Sequence, residues 1–520
     1  MQTSPYPLNS IGRFGIYATV FTTGASVMVI ELLGTRLIAP FYGTSLYVWS
    51  SLISVTLMAL AIGYFTGGRW ADRSCGKGLS IIITLAGLLI VLIPGLSRPI
   101  LLATDDALGF RAGAFVSALA LFLPGLTLLG MISPFAIKLA TRQIQGIGST
   151  SGAIYGVSTV GSVLGTLLLG FFLFPRLGTH EILLGTGAAL MALGLLVAFY
   201  EKYYLSSNRV VLWVTAFCVL GVFLSPLLAT ASQNPSRDTN YTIRSEQESL
   251  YGWVRVIDNP KRNLRFLTSD ASMIGAASLS SGQNLLTYQN IVGLLPSLVP
   301  GMKRALIVGQ GAGHMAMALH ERYGIQVDTI EIDPAVAQAA IEFFDFKPSG
   351  KAKVGDARYE IRHLTGPYDL IIHDCFTGGT EPAHLLTVET FTEMSRLLSK
   401  RGLLAVNFVG FFDHGSNIAL ASVAKTLDHV FTHHVAFISE PGDDFNDFIF
   451  LAGHQAIDMA SGSLTPDQRS WLQQRLLSID QRAGFIFNDN LSNLEQLQIR
   501  KAEHYRDVLL SWFGPELLLR

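Results

Sequence analysis

The uneven spread of charge along this chain restricts its fold more than any other feature. Residues 1–231 carry twelve Lys/Arg and six Asp/Glu, a net +6 on 18 charged positions. Subtracting from totals of 37 and 38 leaves 25 basic and 32 acidic residues in 232–520, a net −7 on 57 positions. The formal charge of −1 is therefore an average over two unlike halves. Only 14% of the 520 residues are charged, against roughly 25% in an ordinary soluble domain, and the mean hydropathy is +0.41. A single soluble globule, a disordered chain and a fibrous repeat are all excluded. The acidic second half has no basic stripe to neutralise phosphates, which argues against nucleic acid as a partner.

The first half predicts an α-helical membrane bundle. Seven apolar stretches, near 14–39, 46–68, 78–97, 111–133, 151–174, 180–200 and 209–231, each approach the roughly 20 residues needed to cross a bilayer. The run starting near Phe14 lacks a compact basic start and a small-residue cleavage site, so it reads as a span and not as a signal peptide. Small residues recur inside the spans, as in Gly161-Ser162-Val163-Leu164-Gly165, where ordinary close packing of helices explains them. Glu31 and Arg36 fall within or at the end of the first span, as a functional carboxylate or a structural ion pair. Basic residues favour the side of Arg13, Arg69, Arg73, Lys77, Lys138, Arg142, Lys202 and Arg209 over that of Arg36, Arg98, Arg111 and Arg176. Eight against four places the N-terminus in the cytoplasm of a bacterial-type inner membrane. Cys75, Cys218 and Cys375 are widely spaced and form neither a disulfide framework nor a zinc motif.

The second half predicts an α/β doubly wound, Rossmann-like domain. A polar linker over 232–250 and a small strand-rich region from Tyr251 precede it. From residue 304 strands alternate with helical segments: Ala305–Val308, Asp328–Ile332, Ala352–Val354, Leu370–Ile372, Leu403–Phe408, Val435–Ile438 and Phe448–Leu451. Such a sheet carries its ligand at the carboxyl ends of its strands. Domain bounds are accordingly 1–231 for the bundle, 251–455 for the catalytic domain and 456–520 for a helical extension. Gly309, Gly311 and Gly313 follow the first strand and allow a nucleotide close to the backbone. Glu331 ends the next strand about 20 residues later, placed for two ribose hydroxyls. Asp356, followed by Ala357, can accept a hydrogen bond from an adenine amine, and Asp374 ends a fourth strand as a general base or a stabiliser of sulfonium charge. His373 alternates to the opposite side. His433 and His434 lack other ligand spacing, so no metal site is read.

Residues 251–455 resemble the spermidine synthase (polyamine aminopropyltransferase) family. Thr287-Tyr288-Gln289-Asn290 is similar to its Y-Q/H-E motif, Val308 to Gly313 to its GGGDG loop and Glu331 to Asp333 to its VEID. Gly355-Asp356-Ala357 is similar to GD[GA], and Asp374 to the first acid of DSSDP. The apolar half, with Glu31-Leu32-Leu33 and the loop from Gly68 to Lys77, resembles membrane-fused members, and the same loop resembles one in major-facilitator transporters. The resemblance implies that Tyr288 and Asp374 flank the reacting centre with Gln289 nearby, that Glu331 holds the ribose and that Asp356 holds the adenine. The implied substrate is S-adenosylmethionine or its decarboxylated form, with no prosthetic group. Other implied partners are the lipid bilayer and a second copy of the chain.

Three departures from the motifs shape the functional expectation. Ala312 replaces the acid of the glycine loop, Thr377 the second acid of DSSDP, and Asn290 the Glu of the first motif. Burying a diamine without carboxylates costs several kcal/mol per charge, so putrescine is disfavoured as acceptor, although Glu381 can replace one acid. The sulfonium's own carboxylate can instead attack its γ-carbon, closing a homoserine lactone and expelling methylthioadenosine. Aminopropyl transfer to an unusual amine, methyl transfer, and a nucleoside-binding sensor or transporter are the alternatives. Seven spans would put the second half outside the cytoplasm, whereas adenosyl sulfoniums are cytosolic. Either one span is miscounted, with the 98–110 segment re-entrant, or the ligand is delivered through the membrane half; the cytoplasmic side is the expectation.

Overall fold

The computed structural model describes the chain except residues 1–9, 44–45, 75–76, 142–145, 175, 206–207, 234–239, 271, 377–378, 458, 461–462, 515–516 and 518–520. Cys75, Arg142, Thr377 and part of the expected linker therefore lie outside the described residues. The chain divides into two compact units, Met1–Pro235 with Pro515–Arg520, and Ser236–Gly514.

The first unit is helical. Its elements are α1 (Ser10–Tyr42), α2 (Leu46–Arg73), α3 (Leu79–Ala140), α4 (Ile147–Leu168), α5 (Thr179–Leu205) and α6 (Asn208–Gln233). The long α3 holds two of the expected spans, separated where Gly109 leaves helical geometry at φ 69°. Residues 98–108 are helical. Six stretches among the described residues are long and apolar enough to cross a membrane, against the seven expected. In α6 the described apolar stretch is only Val210–Leu224. The small residues on α4 serve packing: a Cβ on Gly161 would collide with the Phe21 carbonyl of α1, and Ser162 Oγ donates to Gly24 O at 2.9 Å. The start of α3 is capped from a distance. Glu201 accepts from the Leu79 amide at 2.9 Å and the Ser80 hydroxyl at 2.5 Å, satisfying donors that a helix start leaves open. Arg36 lies over the Phe174 ring at 5.0 Å.

The second unit opens with an antiparallel sheet, β1 (Thr242–Glu248), β2 (Trp253–Asn259), β3 (Leu264–Ser269) and β4 (Ser272–Ser278), in sequential order. Residues 242–248 were expected to be linker and instead form the edge strand β1. Its alternation is weak because one face is exposed and the other only half-buried. Next come α7 (Tyr288–Leu298), β5 (Arg304–Val308), α8 (His314–Tyr323), β6 (Gln326–Glu331), α9 (Pro334–Phe343), β7 (Ala352–Val354), α10 (Ala357–His363) and β8 (Tyr368–His373). The chain continues through α11 (Val388–Leu397), β9 (Leu398–Phe411), α12 (Ile418–Val430), β10 (His433–Ile438) and β11 (Phe445–Gly453). It ends with α13 (Pro466–Gln473), β12 (Leu476–Leu477), α14 (Leu494–Leu497) and α15 (Ile499–Phe513).

The eight-stranded sheet has the order β12-β10-β11-β9-β8-β5-β6-β7. β5 through β9 are parallel, while β10, β11 and β12 add antiparallel. The chain leaves β5 toward β6 and β7, then returns to β8 on the other side, and this reversal opens a crevice at the carboxyl ends. Apolar side chains cover both faces of the sheet, Leu306, Ile371 and Val406 on one and Ile307, Ile372 and Ala405 on the other. Residues 456–520 are not wholly helical, because β12 completes the sheet edge against β10.

In the small sheet Asp258 is fully buried and holds two arginines, accepting from Arg244 Nε and Arg265 Nε at 2.7 Å each. These bonds hold its carboxyl below the usual range against the opposing cost of burial. Asp258→Ala should destabilise the second unit by about 2 kcal/mol. A depressed acid contributes stability above its unfolded pKa and loses it as pH falls through the folded value. The gap in thermal midpoint between wild type and variant should therefore narrow as pH drops below about 4.

Candidate functional site

The crevice at the carboxyl ends of β5, β6 and β8 widens into a cavity of about 570 Å³. Tyr288, Gly309, Gly311, Glu331, Asp356, Ala357 and Asp374 all line it. The glycine loop turns with φ of 94° at Gly309 and 82° at Gly313, values that favour glycine. A Cβ at Gly309 would also strike the Asp374 carbonyl, so the loop and the end of β8 touch backbone to backbone. Gly313 lies behind this turn against the Phe346 ring and does not line the cavity.

Glu331 closes the floor. Its carboxylate accepts from Gly311 N at 3.2 Å and Asp333 N at 3.1 Å, yet burial pushes its pKa up to about 7. Asp356 caps α10, accepting from Tyr359 N at 2.8 Å, so it has a structural duty as well as a place in the cavity wall. Asp333 likewise caps α9 through Ala335 N at 2.9 Å.

Asp374 caps no helix. The Tyr288 hydroxyl donates to its Oδ2 at 2.8 Å and Asn407 Nδ2 to its Oδ1 at 2.8 Å, so both carboxylate oxygens are fixed in direction. Gln289 reaches this group indirectly, donating from Nε2 to the Tyr288 hydroxyl at 3.2 Å. Burial raises the pKa of Asp374 and, more strongly, that of Tyr288. His373 is fully buried and absent from the cavity wall, as strand alternation predicts.

Ala312 points away from the cavity and packs among Val254, Val256, Leu267 and Ala277. Glu381, the expected substitute acid, does not line the cavity either. It is 3% exposed, forms an ion pair with the buried Lys501, and accepts from Val409 N at 2.8 Å. Its charge is already matched.

The cavity nevertheless holds carboxylates that motif reading passes over. Asp447 of β11 and Glu440 before it both line the wall, so the expectation of a cleft short of acids is corrected. Burial and the nearby Asp374 charge push Asp447 up to about 7, while Asn407 opposes the shift. Asn407 carries one sequence signal, a lone polar residue inside the apolar run of β9, whereas Asp447 follows Asn446 at the start of the apolar run of β11. α15 adds Tyr505 and Trp512 to the wall, and Tyr505 OH accepts from Met273 N at 3.2 Å. Among the described residues no cluster of three or more His, Cys, Asp or Glu is arranged to hold a metal ion.

The raised acid Glu331 makes a distinct prediction. A group with an elevated folded pKa costs stability as pH rises past its unfolded value, here from 4.5 toward about 7. Glu331→Gln should therefore gain thermal stability relative to wild type between pH 5 and pH 8. A difference that stays flat across that window, measured by thermal unfolding, would contradict the buried-carboxylate account.

Comparison with known proteins bears on the family of the chain. No protein-family model matches the chain. A polyamine aminopropyltransferase of Vibrio vulnificus is 34% identical over 329 residues, covering 61% of this chain and 100% of that protein. An N-terminal histidine N-methyltransferase of Emericella nidulans is 28% identical over 326 residues, covering 55% of this chain and 57% of that protein. The chain thus spans little more than half the length of that second relative. A probable spermidine synthase from Corynebacterium glutamicum aligns in structure with TM-score 0.40 and 21% identity, over 49% of this chain and 99% of that one.

Proposed function

The chain belongs to the polyamine aminopropyltransferase family, and on that premise we propose that it transfers a carbon chain from an adenosyl sulfonium to an amine, releasing methylthioadenosine. The observation that carries this reading is the pairing of Asp374, fixed by Tyr288 and Asn407, with Asp447 in one cavity. Glu331 accepts hydrogen bonds from the ribose hydroxyls and Asp356 from the adenine amine, with the Ala357 amide beside it. The bare backbone of Gly309 and Gly311 lets the nucleoside approach, and Gly313 fixes the end of that turn.

The amine enters as a cation, which two carboxylates near each other and Glu440 attract. Asp447, poised at about 7, takes its proton near neutral pH. The nitrogen lone pair then attacks the carbon bonded to the sulfonium sulfur. The C–S bond breaks, its electron pair returns to sulfur, and neutral methylthioadenosine leaves. Asp374 holds the attacking nitrogen and offsets the cationic charge through both states.

One observation favours a second reading. The glycine loop from Val308 to Gly313 carries no acid to repel a carboxylate on the sulfonium substrate. Such a substrate can attack itself and close a lactone, giving the same nucleoside without an acceptor.

Product analysis by mass spectrometry separates these chemistries. The purified chain, given S-adenosylmethionine or its decarboxylated form, should release methylthioadenosine only when an amine such as putrescine is added. Release from S-adenosylmethionine alone would establish the intramolecular path, and adenosylhomocysteine as product would overturn both in favour of methyl transfer. Asp374→Asn should lower kcat by about 10²-fold or more. Asp447→Asn should lower kcat by about 10²-fold and raise KM for the amine, while leaving KM for the sulfonium unchanged.

Anchoring in a bilayer by the six apolar helices is part of the same proposal. Six crossings return the chain to the face where the basic residues place its N-terminus, the cytoplasm, where adenosyl sulfoniums are made. A reporter fused at the C-terminus should be active only in its cytoplasmic form, and activity in the external form would restore a seventh crossing by α6.

A further inference from the structure

A second cavity, of about 270 Å³, lies beside the first and shares none of its lining residues. Tyr288 lines one and its neighbour Gln289 the other, and the Gln289–Tyr288 hydrogen bond joins their walls. Gln283, Asn284, Gln289, Asn290, His314 and Arg322 supply the polar lining. No carboxylate is among the lining residues, in contrast to the acid-rich first cavity.

Two buried polar groups here lack partners. His314 is 7% exposed, and neither ring nitrogen makes a hydrogen bond of normal geometry, although the Gly282 backbone is near. Gln289 Oε1 is also buried and unpartnered, because only its amide nitrogen serves Tyr288. Unpaired buried polar atoms are costly, and a cavity that aims several of them inward is stabilised by a polar occupant. Burial holds the His314 imidazole below its usual pKa, so it is neutral near pH 7 and offers one N–H and one lone pair.

We propose that this cavity is a binding site for a small anion, a carboxylate or a phosphate, held by Arg322 with His314 and the carboxamides. The guanidinium of Arg322 is exposed, and no carboxylate among the described residues pairs with it. Its planar fork matches either anion with two parallel hydrogen bonds. The His314 N–H and the amide groups of Asn290 and Gln283 can complete the shell, and the P–OH of a phosphate monoanion or hydrogen phosphate would satisfy Gln289 Oε1. The positive end of α8, which begins at His314, adds a favourable field. This site does not depend on which group the first cavity transfers.

The test uses the full chain in detergent, titrated by calorimetry with inorganic phosphate and, separately, with succinate. One of the two should bind saturably, and which one does identifies the source of the anion. Arg322→Gln, a change at an exposed position, should weaken that binding by at least about tenfold. Asp374→Asn should leave it unchanged, because that carboxylate lines only the first cavity. Absence of saturable binding by both anions, full affinity in Arg322→Gln, or loss of binding in Asp374→Asn would each overturn the proposal.

Discussion

Two backbone hydrogen bonds at the carboxyl end of β5 hold the site in place. Asp374 N donates to Val308 O at 2.8 Å and Gly309 N to Ile330 O at 3.0 Å, so the ladders of three neighbouring strands continue one residue into their loops. The bare Cα of Gly309 lets the Asp374 backbone lie against it. A third bond, Gly355 N to Glu331 O at 2.8 Å, extends the arrangement to β7. Glu331, Asp356 and Asp374 therefore reach one cavity because their backbones are already tied there.

Burying so many acids in this unit has an electrostatic cost, met in different ways at each position. Asp258 and Glu381 are matched by arginine or lysine. Asp374 is directed by a phenol and an amide. Glu331 and Asp447 are left with pKa values near 7, as burial disfavours their charge. The matched pairs serve the framework, whereas the acids with raised pKa face the cavity. Lys501 shows the division clearly. It lies under the rings of Phe376 and Phe408 and neutralises Glu381, taking that acid out of the chemistry.

Much of the fold was legible from pattern alone. Apolar runs long enough to cross a bilayer marked the helices of the first unit, and glycines followed by strand-ending acids marked the crevice of the second. Tyr288 and Asp374 were readable from motif position, and their contact forms where the start of α7 meets the end of β8 at the crevice. The count of spans was less legible, because one helix of 62 residues holds two of them and α6 presents a short apolar stretch. β1 was missed because an edge strand with one solvated face lacks a clean apolar alternation.

The sequence by itself determined that an acidic, Rossmann-like α/β domain follows an apolar helical segment, since hydropathy and motif order are local properties of the chain. Only the tertiary structure decided which acids count. Asp447 and Asn407 enter the cavity because β11 pairs antiparallel with β9, with Asp447 opposite Val409. Glu381 leaves it because Lys501, 120 residues later, meets it in the core. Ala312, which reads in sequence as a missing ligand, is in space a core side chain. Net charge is additive along a sequence, but whether a carboxylate is paired, buried or free depends on neighbours that the fold alone brings together.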